Sequence, residues 1–376
     1  MIQSPEKIQN AGVMPLRFED GRVLLLDQRL LPESLEYFDA TELSDMCFAI
    51  KEMVVRGAPS IGVAAAFGLA AQAVRLAKSD PPIDSIKAGL NDARLRLQAT
   101  RPTAVNLRWA TDKLFQAVFA DQAALANAGD AAEMAVWAAQ TMLKDHIAIN
   151  KRLSDFGAEL IEANDAILTH CNAGPLAACG WGTALGVIRS AAMRGLNPQV
   201  YVDETRPRNQ GSKLTVWELH QDRIPYTLIC DSMSGHVMAS GKVQVVITGA
   251  DRIAMNGDTA NKIGTYNLAV VAQFHTVPFY IAAPLSTVDA KIKSGAEIPI
   301  EERDTQEITN FGKEKMTMTG AHAYNPAFDV TPNKLIAGII TEYGVLRAPY
   351  EVSIGAALEK ARLADFAPGS AGVPPA

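Results

Sequence analysis

Two side chains able to move protons stand where buried strands give out. Asp251 closes the apolar run Val243-Gln-Val-Val-Ile-Thr-Gly, and Cys171 closes the run Asn164-Asp-Ala-Ile-Leu-Thr-His170. Ligands of open α/β sheets bind beyond the carboxyl ends of the strands, so both residues are placed for chemistry. A carboxyl at such a position is expected to be poorly solvated, and desolvation favours the protonated form, an acid donor. The plainer reading of Asp251 is a structural aspartate paired with Arg252. A thiol facing a helix N-terminus is ionised more readily and becomes reactive. The plainer reading of Cys171 is a small buried apolar side chain.

Anion-binding elements surround these two positions in the sequence. Arg56-Gly57-Ala58-Pro59-Ser60 opens a helix, with Pro59 suited to its first turn. Its free amides and the arginine suit a phosphate, or form a tight turn with a solvated cap. Arg101, in Thr100-Arg-Pro-Thr103, is a second anion ligand or a capping residue. Asp203-Glu-Thr-Arg-Pro-Arg-Asn-Gln210-Gly211 is a third polar strand end, and Asn261-Lys262 either clamps sugar hydroxyls or caps a helix. Gly180-x-Gly182-x-x-x-Gly186 imitates a dinucleotide fingerprint, with Asp203 and Glu204 at the acidic position. Fingerprint glycines belong in the turn directly after the strand, and Cys171-Asn172-Ala-Gly-Pro175 occupies that turn. The glycines are therefore expected inside a helix, and no dinucleotide is expected. Histidines and carboxylates do not cluster at metal-ligand spacing, so no catalytic metal is expected.

The elements that hold these residues fall into two regions. Residues 16–27 read as a β-hairpin with Asp20-Gly21 at its turn. From Thr41 to Ala128 the pattern is helical and alanine-rich, broken at Arg56–Pro59, Asp80–Pro82 and Arg101-Pro102. Ala128-Gly-Asp130 is the expected boundary, dividing 1–128 from 129–366. A long helix follows, since Met142, Ile149, Leu153, Phe156 and Leu160 keep helical spacing. Strands are then expected at 165–170, 199–203, 226–231, 243–249 and 278–283 with helices between them, a parallel three-layer α/β sheet. Glu307–Phe311 and Lys334–Tyr343 are expected to complete it. The Pro/Gly-rich residues 367–376 read as a disordered tail.

A chain of 376 residues with 48% hydrophobic and 20% charged residues can bury a sizeable core. Its formal net charge of -6 argues against nucleic acid or an anionic membrane as partner. The N-terminus lacks the pattern of a signal peptide, and no run of about 20 apolar residues suggests a spanning helix. Cys47, Cys179 and Cys230 read as small buried residues within helix or strand patterns, and no C-x-x-C pair occurs. Reduced thiols in a cytoplasmic protein are the expectation.

Taken together, the motifs are similar to those of a known family. Arg56-Gly-Ala-Pro, Thr169-His-Cys-Asn-Ala-Gly, Asp203-Glu-Thr-Arg-Pro, Gln210-Gly, Gly249-Ala-Asp-Arg-Ile, Gly257-Asp-Thr-Ala-Asn-Lys-Ile-Gly-Thr and Glu297-Ile-Pro-Ile-Glu-Glu-Arg303 occur in that order. The set, from about residue 10 to about residue 350, resembles the methylthioribose-1-phosphate isomerases, metal-free aldose–ketose isomerases of methionine salvage. The wider family includes regulatory subunits of a translation-initiation nucleotide-exchange factor, which lack this cysteine–aspartate pair. The resemblance implies Cys171 as the catalytic cysteine and Asp251 as the proton donor. It implies substrate contacts from Arg56, Gly57, Ala58, Arg101, Gln210, Asn261 and Lys262. It also implies a smaller helical N-terminal domain beside a Rossmann-like domain, no cofactor, a sugar-phosphate substrate and a homodimer. Pro175, Cys179, Trp181 and Met255 depart from the family pattern, which leaves the group carried at C5 of the sugar open. A relative acting on 5-deoxyribose 1-phosphate, or a non-catalytic phosphate-sensing subunit, are the competing expectations.

Overall fold

The computed structural model describes residues 13–365 apart from 103, 123, 124 and 313. The expected tail at 367–376 and the extreme N-terminus lie outside the described residues. The chain forms two units. One holds the described residues up to Asn150 together with Pro175–Gly182 and Ala361–Asp365, and the other holds Lys151–Gly174 and Thr183–Lys360.

The first unit begins with an antiparallel hairpin, β1 (Leu16–Glu19) and β2 (Arg22–Leu26). Asp20 and Gly21 at its tip have φ of 52° and 75°, the left-handed pair that a two-residue turn of this kind requires. A third strand, β3 (Tyr37–Asp39), joins the other edge of β2 and is too short to show a pattern in sequence. Helices α1 (Leu43–Lys51), α2 (Ala58–Ala77), α3 (Ile83–Thr100), α4 (Val105–Phe119) and α5 (Ala128–Ala158) follow. Their starts after Gly57, Pro82 and Ala104 match the Gly/Pro breaks. A short α6 (Pro175–Ala178) completes the unit. Helix α2 is long and apolar enough to cross a bilayer. Its residues are nevertheless buried without a break from Ser60 to Ala73, so here it is the axis of a helical core. Ala128-Gly-Asp130 marks the start of α5, and the division between the units falls inside that helix, after Asn150.

The second unit is built on a sheet of seven strands. Along the chain come β4 (Ala166–Thr169), α7 (Ala184–Met193), β5 (Gln199–Asp203), α8 (Val216–Asp222), β6 (Tyr226–Ile229), α9 (Ser234–Ala239) and β7 (Val245–Thr248). Next are β8 (Arg252–Ile253), β9 (Thr259–Lys262), α10 (Thr265–Phe274), β10 (Phe279–Ala282), α11 (Gln306–Thr309), β11 (Asn310–Phe311) and β12 (Glu314–Lys315). The last are β13 (Phe328–Thr331), β14 (Gly338–Thr341), β15 (Gly344–Leu346) and α12 (Tyr350–Asp365). The sheet order is β15-β14-β10-β7-β4-β5-β6, parallel throughout except for the antiparallel edge strand β15. Strands β4, β7, β10 and β14 are buried at every residue, which is why each reads as an unbroken apolar run. Residues of α7, α8 and the end of α5 pack with these strands in one apolar cluster. A separate antiparallel sheet, β13-β9-β8, stands beside the main one in the chain order.

All five expected strands are present, and Lys334–Tyr343 supplies β14. Glu307–Phe311 does not join the main sheet. Asp304 Oδ1 accepts the Gln306 N–H at 2.8 Å and starts a helical turn, and β11 then pairs with β12 in a small hairpin.

His146, in the α5 portion of the helical unit, is buried with its ring edge-on to Trp109. Burial, with a smaller push from Lys113, depresses its imidazole from 6.5 to about 4. The unfolded chain thus takes up a proton here below pH 6.5, while the folded chain resists until pH 4. Stability from this site is full above 6.5 and falls by roughly 3 kcal/mol as the pH drops to 4. Urea unfolding at pH 7 and pH 4.5 should show a smaller acid loss for His146→Leu than for the wild type. Equal losses would remove the assignment.

Candidate active site

The strand order reverses at β4, with β5 and β6 on one side and β7, β10 and β14 on the other. The connections that follow β4 and β7 lead to opposite sides of the strand order, and the carboxyl ends at such a reversal are the ligand-binding position of this class of sheet. Cys171 lies two residues past β4, and Asp251 three residues past β7. The two strands are direct neighbours, with Leu168 opposite Val246, and backbones so paired run about 4.8 Å apart. Their loops stay in contact beyond the sheet. A β-carbon at Gly249 would come within 2.9 Å of the Ala173 methyl, so only glycine permits this approach.

Asp251 is half-buried, more open to solvent than the poorly solvated carboxyl expected from the strand end. It stands past the strand end, at the entry to β8, where its N–H donates to the Ala260 carbonyl at 2.9 Å. Arg252 directs its guanidinium to Asp289, with Nη1 3.8 Å from Oδ2. Cys171 is buried and has φ of 65°. A left-handed conformation costs a non-glycine residue roughly 1–2 kcal/mol, so surrounding contacts must impose it.

Immediately before it, His170 is buried between acceptors on both sides of its ring. Nδ1 lies 3.0 Å from Asp203 Oδ2 and Nε2 lies 2.9 Å from the Ile263 carbonyl. A carbonyl can only accept, so Nε2 carries a proton. Burial alone pulls the imidazole pKa down, but the hydrogen bond and charge of Asp203, with the charge of Asp231, outweigh it and the net direction is up. Burial also pushes the Asp203 carboxyl up, against the pull of His170. With Nε2 committed as a donor to the Ile263 carbonyl, Nδ1 and Asp203 Oδ2 share a buried hydrogen bond on the other side of the ring. Ligand atoms of His170, Asp203 and Asp231 lie within 4.8 Å of one another, a grouping that sequence spacing did not show. Each is engaged within the protein. Asp203 Oδ1 accepts from Ser234 Oγ at 2.6 Å, and the Asp231 oxygens accept the N–H groups of Thr205 and Arg206 at 2.7 Å each. The cluster is thus satisfied by its own hydrogen bonds.

The third strand end carries Gln210. Its Oε1, and the Oδ1 of Asn209 beside it, are buried without a hydrogen-bond partner among the described residues. Buried polar atoms are rarely left so, and two acceptors in one loop suit the hydroxyl groups of a ligand. Sequence reasoning took Gln210 from the family pattern and missed Asn209. Asn261 and Lys262 are both buried on β9, and neighbours on a strand point to opposite faces. Asn261 Nδ2 donates to Thr265 Oγ1 at 3.1 Å, and Lys262 Nζ donates to the Ala327 carbonyl at 2.6 Å.

Arg56, Gly57, Ala58 and Arg101 belong to the helical unit. Gly57 caps α2 with φ of 97°, Ala58 opens that helix with Pro59 in its first turn, and Arg101 ends α3. Gly180 and Gly182 are not inside a helix. With φ of 109° and 94° they form, with Cys179 and Trp181, a left-handed turn between α6 and α7. Cys179 is buried in that turn, with its thiol pushed up to about 12 by burial. Cys230 is exposed rather than buried, because it follows the sheet-edge strand β6.

A profile described as the Initiation factor 2 subunit family matches residues 54–348, a span holding every candidate site residue. The chain belongs to the initiation factor 2 subunit family. Within the family it is 52% identical over 340 residues to a methylthioribose-1-phosphate isomerase of Syntrophotalea carbinolica, covering 90% of this chain and 97% of that one. The crystal structure of 5-methylthioribose 1-phosphate isomerase from Pyrococcus horikoshii superposes with a TM-score of 0.87 at 38% identity, over 95% and 99% of the two chains. A structure of translation initiation factor eIF-2B, subunit delta, from A. fulgidus gives 0.83 at 42% identity, over 92% and 99%.

If Gln210 is held open for a ligand, removing its amide should separate stability from binding. Gln210→Leu is expected to leave the melting temperature unchanged or higher, because a buried unsatisfied oxygen disappears. Its KM for a sugar phosphate should rise about tenfold, from the lost hydrogen bond. A variant with lower stability and unchanged KM would mark Gln210 as structural.

Proposed function

We propose that this chain is an aldose–ketose isomerase of methionine salvage, converting 5-methylthio-D-ribose 1-phosphate to 5-methylthio-D-ribulose 1-phosphate. What carries the reading is the near-full-length identity to proteins named methylthioribose-1-phosphate isomerase. The pairing of Cys171 and Asp251 at adjacent strand ends supports it.

The substrate poses a specific problem. Phosphate on the anomeric oxygen prevents the furanose from opening as a free hemiacetal would. Asp251 protonates the ring oxygen while its bond to C1 breaks, leaving a phosphorylated oxocarbenium at C1. C1 must then gain a hydrogen and C2 must become a ketone. In one route the Cys171 thiolate removes the C2 proton, giving an enediol phosphate. That intermediate is protonated at C1 as the C2 hydroxyl loses its proton. In the other, hydride passes from C2 to C1 while the hydroxyl loses its proton, and Cys171 stabilises the transition state. Gln210, Asn261, Lys262, Arg56, Gly57, Ala58 and Arg101 are assigned to the phosphate and hydroxyl groups. Four cysteines free of disulfides fit the reducing conditions of the cytoplasm.

The likeness to translation initiation factor eIF-2B, subunit delta, from A. fulgidus favours a second reading, a non-catalytic member of the family. Turnover separates the two. Phosphorus NMR of purified protein with 5-methylthioribose 1-phosphate should show the ketose phosphate forming, with 5-deoxyribose 1-phosphate as the competing sugar. Asp251→Asn and Cys171→Ser should each lose about 10²–10⁴-fold in kcat, the usual worth of acid–base participation, with unchanged circular dichroism. Near-normal turnover in a variant would dismiss the role of that residue. Absence of turnover in folded wild type would favour the second reading.

A homodimer is the proposed assembly. Tyr266, Val270 and Phe274 lie four residues apart on one face of α10 and are exposed, Phe274 at 83%. Exposed apolar stripes of this kind mark association sites. Light scattering should give twice the chain mass for the wild type and the single mass for Phe274→Asp. A monomeric wild type would refute the assembly.

A further inference from the structure

The left-handed backbone of Cys171 is held at both of its peptide groups by threonine hydroxyls from elsewhere in the sheet unit. The Cys171 N–H donates to Thr205 Oγ1 at 2.8 Å, and its carbonyl accepts from Thr215 Oγ1 at 2.6 Å. Each hydroxyl has a second bond of the complementary sense. Thr205 Oγ1 donates to the Asp203 carbonyl at 3.0 Å, and Thr215 Oγ1 accepts from Asn172 Nδ2 at 3.2 Å. Asn172 Nδ2 also reaches Glu218 Oε2 at 2.5 Å, so the residue after Cys171 is tied to α8 as well. Both threonines are fully buried.

Thr215 reaches this position through an unusual turn. Gly211–Thr215 is a π-helix that runs directly into α8. A π-turn holds one residue more than an α-turn, and such insertions recur at functional sites. Without the extra residue, Thr215 would rotate about 100° around the helix axis, away from Cys171. The turn can start only at glycine, since a β-carbon at Gly211 would overlap the Asp203 carbonyl. The backbone therefore places residue 215 where a side-chain hydroxyl reaches the Cys171 carbonyl.

We propose that Thr205 and Thr215 are positioning residues. They clamp the Cys171 peptide in its left-handed form and so aim the thiol, with the π-turn as the device that delivers Thr215. The effect on turnover rests on the catalytic reading of Cys171, whereas the effect on the thiol itself does not.

The test compares Thr215→Val with Thr215→Ser in the full-length protein. The valine variant keeps the shape and loses the hydroxyl, and its kcat should fall about 10–100-fold with KM within about twofold, as expected for a misaimed group. The serine variant should recover kcat to within about threefold of the wild type. In parallel, iodoacetamide alkylation of Cys171 is followed by peptide mass spectrometry across pH, with exposed Cys230 as internal reference. Its rate profile should move in the valine variant and return in the serine variant. Unchanged kcat and an unchanged Cys171 profile in Thr215→Val would overturn the clamp. So would a serine variant as impaired as the valine one, since packing alone would then explain the loss. If Cys171→Ser keeps its turnover, the catalytic reading fails and the alkylation profile alone decides the clamp. If Thr215→Val does not fold, Thr205→Val against Thr205→Ser reads the other half, with the same expected and overturning outcomes.

Discussion

Hydrogen bonding of β4 to β5 along one edge and to β7 along the other fixes where this molecule can place reactive groups. A strand paired on both edges and buried on both faces has one free direction, outward along its own axis. The chain leaving it must turn at once, and the strands beside it are fed from opposite sides of the sheet. Cys171, the loop that follows Asp203, and Asp251 lie within a few residues of the carboxyl ends of three adjacent strands, without any long connection being ordered for the purpose. The glycine at 249 lets two of these loops touch.

Burying polar groups beneath a reactive crevice carries a cost that hydrogen bonding has to offset. The structure does so by closing each loop on its neighbour. His170 binds Asp203 from the next strand and the carbonyl that precedes α10, and Asp203 in turn receives Ser234 from the start of α9. Strand-end loops are cross-linked through one buried His170–Asp203 hydrogen bond. Removing either partner would leave a buried polar group unpaired, a situation costing about 1–3 kcal/mol in general. In the loop after β5, the oxygens of Asn209 and Gln210 remain buried without a hydrogen-bond partner among the described residues.

Much of this arrangement was legible in the sequence because parallel strands buried on both faces leave a plain signature. Ile167-Leu168 and Val245-Val246-Ile247 admit few other readings once polar turn residues bound them. Asp20-Gly21 announced its hairpin by the backbone angles it alone tolerates cheaply. Other features left no local trace. Thr259-Ala-Asn-Lys262 lacks strand composition and is extended because β8 and β13 pair on either side of it. The π-turn at 211–215 depends on the crowding of Gly211 against Asp203, a contact made in space. The His170–Asp203 pair spans 33 residues, and no short-range spacing rule could find it. Gly180 and Gly182 misled because a glycine admits both helix and left-handed turn, and only the buried partners choose between them.

The path of the chain has a consequence of its own. The backbone passes from one unit to the other after Asn150, returns for Pro175–Gly182, leaves again at Thr183 and comes back at Ala361. Those eight residues are fastened into the helical unit by Ser60, whose hydroxyl donates to the Leu176 carbonyl and accepts the Cys179 N–H, and by Asn150, which donates to the carbonyls of Ala178 and Gly180. The helical unit is therefore completed by residues that follow β4 and the Cys171 loop in the chain. A gene cut at the apparent boundary would not deliver a finished module, so recombination that shuffles whole domains has no clean seam in this fold.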